Sequence, residues 1–491
     1  MPTPLLRPAR LLAVLVLAVA GVWLVPRPSL ADADGQEAQI RSAIDEVLAD
    51  PDLPTAFWGV VVRDARTGRI VLSRNAEKRF LPASNLKILT TATALDALGP
   101  DHRYTTRLYH LGTVSEDGTL AGDLVVRGSG DPTFGSDGRG DPLEDWAEAL
   151  AEAGVKRVTG RIVGDDDAFE DARYGEGWDV THIATESYAP AAGGLVWNDN
   201  LVGIQIAGTS AGQPVRFESD PPGFVTLRGD VRTGGRGRMD VERTLGTDEF
   251  VLRGVVPTGY RGTLQVPVAN PTLYAVYGLA DRLREAGVDV SAADLVDVDD
   301  LDGGLDYGDA EPLRVSVSPP LREIVEQINR ESDNLYAEQV FRTLGGGTVR
   351  AAEDRVQAFV TEAGADGDAL SIADGSGLSR KDLVTPDALA AVLRAMRSHP
   401  AQRAFLRSLP EGGGSGSTLR NRLGGVGVRA KTGSLQAVRC LAGYVDGPDG
   451  TPYVFVLMAN NYTTRGGQIA AAQDRIVRAI AAGGRLPADE E

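Results

Sequence analysis

A serine and a lysine one helical turn apart open an apolar segment: Ser84-Asn85-Leu86-Lys87. A serine hydroxyl is a poor nucleophile until a base removes its proton. Side chains three residues apart share a helix face, so the Lys87 amine reaches the Ser84 hydroxyl. To act as a base that amine must be neutral part of the time. Burial and a neighbouring cation both lower a lysine pKa, and Lys431, which heads Lys431-Thr432-Gly433-Ser434, is a candidate for the second charge. A third triplet, Ser332-Asp333-Asn334, offers another hydroxyl and an amide. Histidine is the less suitable base, because the four histidines (His102, His110, His182, His399) lie in no recognisable triad context.

Each triplet by itself has a plain structural reading. Ser84 can cap a helix and Lys87 can be a surface lysine, while Ser, Asp and Asn are common wherever one helix turns into the next. Together and in this order they assign roles. Ser84 is the nucleophile and Lys87 the general base. Ser332 is a proton shuttle to the leaving amine, and Asn334 positions Lys87 and the substrate backbone. Lys431, Thr432 and Ser434 offer a charge and hydroxyls to a substrate carboxylate. Gly433 removes a side chain beside the nucleophile, which lets substrate lie along the strand. The backbone N–H groups of Ser84 and Ser434 are the natural oxyanion hole.

The elements that must position these residues follow from periodicity. Ile40, Ile44 and Val47 predict an amphipathic helix over 36–49. Two β-rich runs, 58–63 and 69–74, flank Asp64-Ala65-Arg66-Thr67-Gly68 and predict a hairpin. The Ser84 helix runs to about Leu98 and is apolar nearly all round, so it is buried. From 103 to 312 short β-like runs alternate with glycine-rich turns, interrupted by helices at 143–153 and 272–286. This reads as an inserted region of mainly β character, with room for two lobes. The acidic stretch 297–309 reads as a solvated exit linker. Beyond 312, helices are predicted at 321–329 and 335–343 with Ser332-Asp333-Asn334 at their joint. Another runs from Thr385-Pro386 to about Arg397, a threonine cap followed by a first-turn proline. Strands at 426–435, 438–445 and 453–459, with a closing helix at 468–482, complete an antiparallel sheet that starts with the hairpin.

The chain has 491 residues, 42% hydrophobic and 24% charged, enough for two or three domains with a large core. Its single cysteine, Cys440, excludes an internal disulfide and a thiolate metal cluster. A formal net charge of -18 argues against nucleic acid as a partner. At the N-terminus Arg7 and Arg10 precede an apolar run from Leu11 to Val25, followed by small residues through Ala31 and Ala33. That is the three-part pattern of a secretory signal, assigned to 1–31; a retained single-span anchor is the competing reading. After cleavage no stable membrane span is expected, and the acidic mature chain suits a periplasmic or cell-wall location.

With these motifs on the page, the chain resembles the class C low-molecular-mass penicillin-binding proteins, the D-alanyl-D-alanine carboxypeptidase/endopeptidase family. S-x-x-K, S-D-N and K-T-G are the signature triplets of penicillin-binding proteins and class A β-lactamases. Further segments are similar to the family: Gly122-Asp123-Leu124 leading to Gly128-Ser129-Gly130-Asp131-Pro132, Trp197-Asn198-Asp199-Asn200, Asp374-Gly375-Ser376-Gly377-Leu378-Ser379-Arg380, and Leu441-Ala442-Gly443-Tyr444. The long insertion between the first two motifs is the family's mark. The resemblance implies an α+β, multi-domain architecture. A β-lactamase/transpeptidase-like domain (36–102 and 313–485), an antiparallel sheet with helices on both sides, is split by the insertion. It also implies a serine D-Ala-D-Ala carboxypeptidase or D-Ala cross-link endopeptidase. Its partners would be peptidoglycan peptides, with β-lactams as covalent inhibitors, and it would use no cofactor and no metal. Arg380 is a candidate to shape the pocket for the stem-peptide side chain, with an ordinary surface arginine as the alternative. A β-lactamase would use the same acylation but needs a water-activating carboxylate, and no acid of the insertion sits in a recognisable setting for it. An inactive wall-binding scaffold would keep the same fold.

Overall fold

The computed structural model describes residues 30–486 apart from 52, 54, 137 and 236. The apolar run from Leu11 to Val25 lies outside the described residues. Among the described residues no helix is long and apolar enough to cross a membrane.

The first hairpin, Phe57–Asp64 with Ile70–Arg74, joins three late strands, Val428–Leu435, Val438–Asp446 and Pro452–Asn460. They form one five-stranded sheet in which Val428–Leu435 is one edge and Ile70–Arg74 the other. Every pairing in it is antiparallel. Alternate side chains of Pro452–Asn460 enter two different cores. Phe455 and Leu457 pack with Ile40, Ile44, Ile476 and Ile480 from the helices Leu30–Leu48 and Gly466–Ala481. Val454, Val456 and Met458 pack with Leu86, Leu89, Ile324, Val340 and Leu389 from helices on the opposite face. A sheet covered on both faces needs no polar side, which is why this strand reads as an unbroken apolar run.

The chain leaves this body after the helix Leu86–Ala97. It builds a second sheet in which Thr105–Val114 pairs with Thr119–Arg127, and Arg161–Asp165 pairs in parallel with the latter. The helices Pro142–Glu152 and Pro271–Glu285 pack on it through Leu143, Trp146, Tyr274 and Leu279. Two smaller three-stranded sheets follow, one of Leu201–Ala207, Arg216–Asp220 and Arg261–Pro267, the other of Thr226–Gly234, Met239–Arg243 and Glu249–Pro257.

Several expectations shift. The return crossing lies later than residue 312, because Arg314–Val317 pairs with Thr105–Leu108 and still belongs to the second sheet. The acidic stretch is no free linker. Asp297 is buried and accepts from Asn270 and Arg173, and Leu301, Leu305 and Tyr307 pack on Tyr109 and Val298. Apolar residues spaced among the acids override their charge. The helices Val349–Glu362, Gln402–Ser408 and the one-and-a-half-turn Val180–Thr185 add to those predicted.

Candidate active site

Ser84 sits two residues before the α-helix it was expected to open. Ala83–Asn85 is a 3-10 turn, and the α-helix starts at Leu86. Ala83 adopts φ +47, a left-handed conformation that side chains rarely take. In 3-10 geometry residues three apart eclipse one another, so the spacing still serves. The Lys87 amine donates to Ser84 Oγ at 3.1 Å. It also donates to Asn334 Oδ1 at 2.6 Å and to the Ser376 carbonyl at 2.6 Å.

The second triplet falls at the expected joint, between Leu321–Arg330 and Asn334–Leu344. Asp333 caps the latter helix, accepting from the Tyr336 N–H. That leaves Asn334 on the first helical position, with its amide turned towards Lys87. The sharp turn is made at Ser332, φ +67. Its hydroxyl accepts from Lys431 Nζ at 2.8 Å, and the same ammonium reaches the Thr432 carbonyl at 3.0 Å. Three distant stretches of chain therefore meet within hydrogen-bond reach.

Lys431 and Lys87 are both fully buried. Burial pulls the Lys87 amine down to about 8, against partial compensation from Asp374, Asp333, Asp382 and Glu338. Burial, and then the charge of Lys87, hold Lys431 well below the usual lysine range. The repulsion between two neighbouring ammonium groups is mutual, so each proton lost eases the retention of the other.

Val428–Leu435 presents a free edge to the site. In an antiparallel strand alternate residues turn their N–H and C=O to the same side. Ala430 gives its N–H outward to Pro410, so the Thr432 and Ser434 amides also face outward, where the strand has no further neighbour in the sheet. The Ser84 N–H lies in the first turn of a helix, where donors have no intrahelical acceptor. Gly433 also has a packing role. A Cβ there would lie 2.7 Å from the Pro82 carbonyl and 3.2 Å from the Asn85 N, so the glycine allows the edge strand to close on the serine turn.

A groove of about 450 Å³ runs over these groups. Ser84, Ser332 and Asn334 line it together with Thr432, Ser434 and Gln436 of the edge strand and its turn, and with Leu378 and Arg380. Arg380 is exposed and donates to the Gln436 carbonyl at 3.0 Å. The inserted region completes the groove with Gly177, Asp179, His182 and Tyr188. Sequence reasoning missed these residues, since nothing in their local pattern marks a site. It also missed Asp374, buried among five donors behind the groove, although the glycine-rich segment that contains it had drawn notice. Away from the groove, Asp166, Asp297 and Asp299 bring carboxylate oxygens within 4.8 Å of one another. That cluster shares no residue with the groove lining.

A hydroxyl, a buried amine of lowered basicity, a second hydroxyl backed by a second lysine, and two outward amides make a serine-dependent acyl-transfer site. Residues 40–482 match the model of the D-Ala-D-Ala carboxypeptidase 3 (S13) family. A D-alanyl-D-alanine carboxypeptidase of Actinomadura sp. (strain R39) is 32% identical over 483 residues, covering 92% of this chain and 87% of that protein. The crystal structure of penicillin binding protein 4 (dacB) from Haemophilus influenzae superposes with a TM-score of 0.76, at 23% identity, over 89% of this chain and 99% of that one. A second structure of the same protein, complexed with a novel β-lactam, gives 0.69 at 22% identity, over 89% and 98%. The chain belongs to the D-Ala-D-Ala carboxypeptidase 3 (S13) family, and with it to the serine-type D-Ala-D-Ala carboxypeptidases.

Proposed function

We propose that Ser84 attacks the carbonyl of the D-Ala-D-Ala bond in peptidoglycan stem peptides, with Lys87 as its base. The observation that carries this is the set of three bonds at Lys87 Nζ. A neutral amine has two N–H groups and one lone pair. Asn334 Oδ1 and the Ser376 carbonyl only accept, so they take the two N–H groups and leave the lone pair to the Ser84 proton. The Asn334 amide is fixed the right way round because its Nδ2 donates to the Tyr188 carbonyl at 2.7 Å.

As Ser84 Oγ bonds to the carbonyl carbon, its proton passes to Lys87 and the oxyanion is taken by the N–H groups of Ser84 and Ser434. Collapse breaks the C–N bond. The departing amine takes a proton through the Ser332 hydroxyl, which Lys431 backs and the Lys87 ammonium resupplies, so Lys87 is neutral again before water arrives. Water then hydrolyses the ester, with Lys87 again accepting the proton, and Ser84 is restored. A substrate strand extends the free edge at Thr432 and Ser434, and the terminal carboxylate meets their hydroxyls and the Lys431 charge. Arg380, on the rim, contacts the stem-peptide side chain. If the leaving amine is D-alanine the reaction is that of a carboxypeptidase, and if it is a cross-linked side chain, that of an endopeptidase. A β-lactam presents a strained amide to the same hydroxyl and leaves an acyl group on Ser84. The β-lactam complex of the Haemophilus protein supports this reading. The N-terminal charged and apolar pattern supports export, to the periplasm or cell wall.

The test is Ser84→Ala. Release of D-alanine from a D-Ala-D-Ala peptide and covalent labelling by fluorescent penicillin should both vanish in a folded variant. Undiminished release would refute the mechanism.

A further inference from the structure

Two of the three acceptors around Lys87 Nζ are held by one short piece of the inserted region. The Ser376 carbonyl lies on the loop 374–379, which Asp374 organises. The fully buried Asp374 carboxylate accepts from the N–H groups of Ser376 (3.0 Å), Gly377 (2.6 Å) and Ser379 (3.0 Å), and from the Ser376 hydroxyl (3.1 Å). Its fifth donor is the indole N–H of Trp178, at 2.5 Å. The Ser379 hydroxyl donates to the Glu176 carbonyl at 2.5 Å, and Lys381 pairs with the Glu176 carboxylate. Further along the same segment, the Tyr188 carbonyl takes the Asn334 Nδ2 proton at 2.7 Å. The other acceptor of Lys87, Asn334 Oδ1, is thereby fixed as well.

We propose that Asp374 is a positioning residue for acylation, and that the segment 175–188 of the inserted region aims the Lys87 lone pair at Ser84 through Trp178 and the Tyr188 carbonyl. This rests on the roles given above to Ser84 and Lys87. An amine that loses either acceptor is free to turn an N–H towards Ser84 in place of its lone pair, and the proton then has nowhere to go. The insertion is on this account part of the acylating machinery as well as a wall of the groove.

The charged groups facing Lys87 set what a pH profile will read. Asp333 and Glu338 come from the helix Asn334–Leu344 and its cap, with Glu338 paired to Arg342. Asp374 comes from the loop, Asp382 from the chain just after it, and Lys431 from the edge strand. Burial, and then the Asp374 charge, keep the Asp382 carboxyl well above the usual range. Asp374 opposes the loss of the Lys87 proton. Removing its charge should let Lys87 deprotonate at lower pH while spoiling its aim.

The experiment measures the second-order rate of acylation by fluorescent penicillin across the acid limb. It uses the chain as exported, Ser84→Ala, Asp374→Asn, Trp178→Phe and the double variant, each shown to be folded by thermal unfolding. Asp374→Asn should lower the plateau about tenfold, the scale of one unmade buried hydrogen bond, and shift the limb towards lower pH. A purely structural role would not move the limb. Trp178→Phe keeps the charge and a ring but removes the N–H; it should lower the plateau with the limb in place. The double variant should lose no more than Asp374→Asn alone, since both act through one loop. A plateau unchanged in Trp178→Phe, or an unchanged profile in folded Asp374→Asn, overturns the proposal. If Asp374→Asn does not fold, the Trp178→Phe plateau decides. Labelling of Ser84→Ala would instead sink the serine mechanism itself, whereas an inert Ser84→Ala beside an unaltered Asp374→Asn sinks only this inference.

Discussion

At the scale of single residues, the site works by withholding water from two amines. As the proposed base Lys87 needs its lone pair, and a lysine in water keeps its proton far above neutrality. Burial brings the Lys87 amine to about 8. The neutral base grows in as pH rises through that value, so the acylation rate by penicillin should climb across it and level off above. Stopped-flow or gel-based labelling over a pH series reads this directly, and a flat profile through that range would contradict a lysine base. The residues that the groove gathers were legible in the sequence because hydroxyls and amines in three short motifs stand out by type alone. Asp374, Asp179 and His182 were not, because a carboxylate on a loop or a histidine on a short helix looks the same whatever lies opposite.

At the scale of elements, close approach of backbones decides where the serine sits. The loop at Gly377 and the turn at Ala83 touch: a Cβ on Gly377 would lie 2.0 Å from the Ala83 carbonyl, and Gly377 itself has φ +83. The Gly375 carbonyl likewise accepts from the Thr90 hydroxyl at 2.8 Å, and the Gly375 N–H donates to Glu338 Oε2 at 2.7 Å. Gly377→Ala should therefore displace the serine turn. We expect penicillin labelling to fall at least about a hundredfold and stability to drop by roughly 2 kcal/mol, from left-handed strain plus the clash. Labelling kinetics and denaturant unfolding check both. Element types were largely readable, since helical and two-residue periods survive in any fold. The start of the Ser84 helix was not, because a 3-10 turn and an α-turn have the same apolar pattern over three residues.

At the scale of the whole molecule, charge buried away from the groove sets how stability follows pH. Asp166 accepts from the Thr272 hydroxyl through one oxygen, while its other oxygen is buried without a partner among the described residues. Burial, and then Asp297 and Asp299, push its carboxyl up to about 7 from the ordinary 3.8. Between those values the folded chain binds more protons than the unfolded one, so this group's contribution to stability falls as pH rises and its cost is complete above the upper value. Asp166→Asn carries no charge to repel. It should stabilise the protein at pH above that value by about 1–3 kcal/mol, with the gain fading towards the lower one. Calorimetry of variant and parent at both ends tests the sign; equal melting at high pH would contradict it.

The sequence by itself determined which chemistry this chain carries and which segments are helix or strand, because reactive groups and hydrophobic periods are local properties. It also exposed the long insertion between the first two motifs, though not its true end. Only the tertiary structure decided that the insertion closes the groove and reaches the neighbourhood of Lys87, that Arg314–Val317 stays with the second sheet, and that the acidic stretch is packed. Those outcomes depend on which surfaces meet across hundreds of residues. Burial, and with it the basicity of a lysine or the bonding of a carboxylate, exists only once they have met.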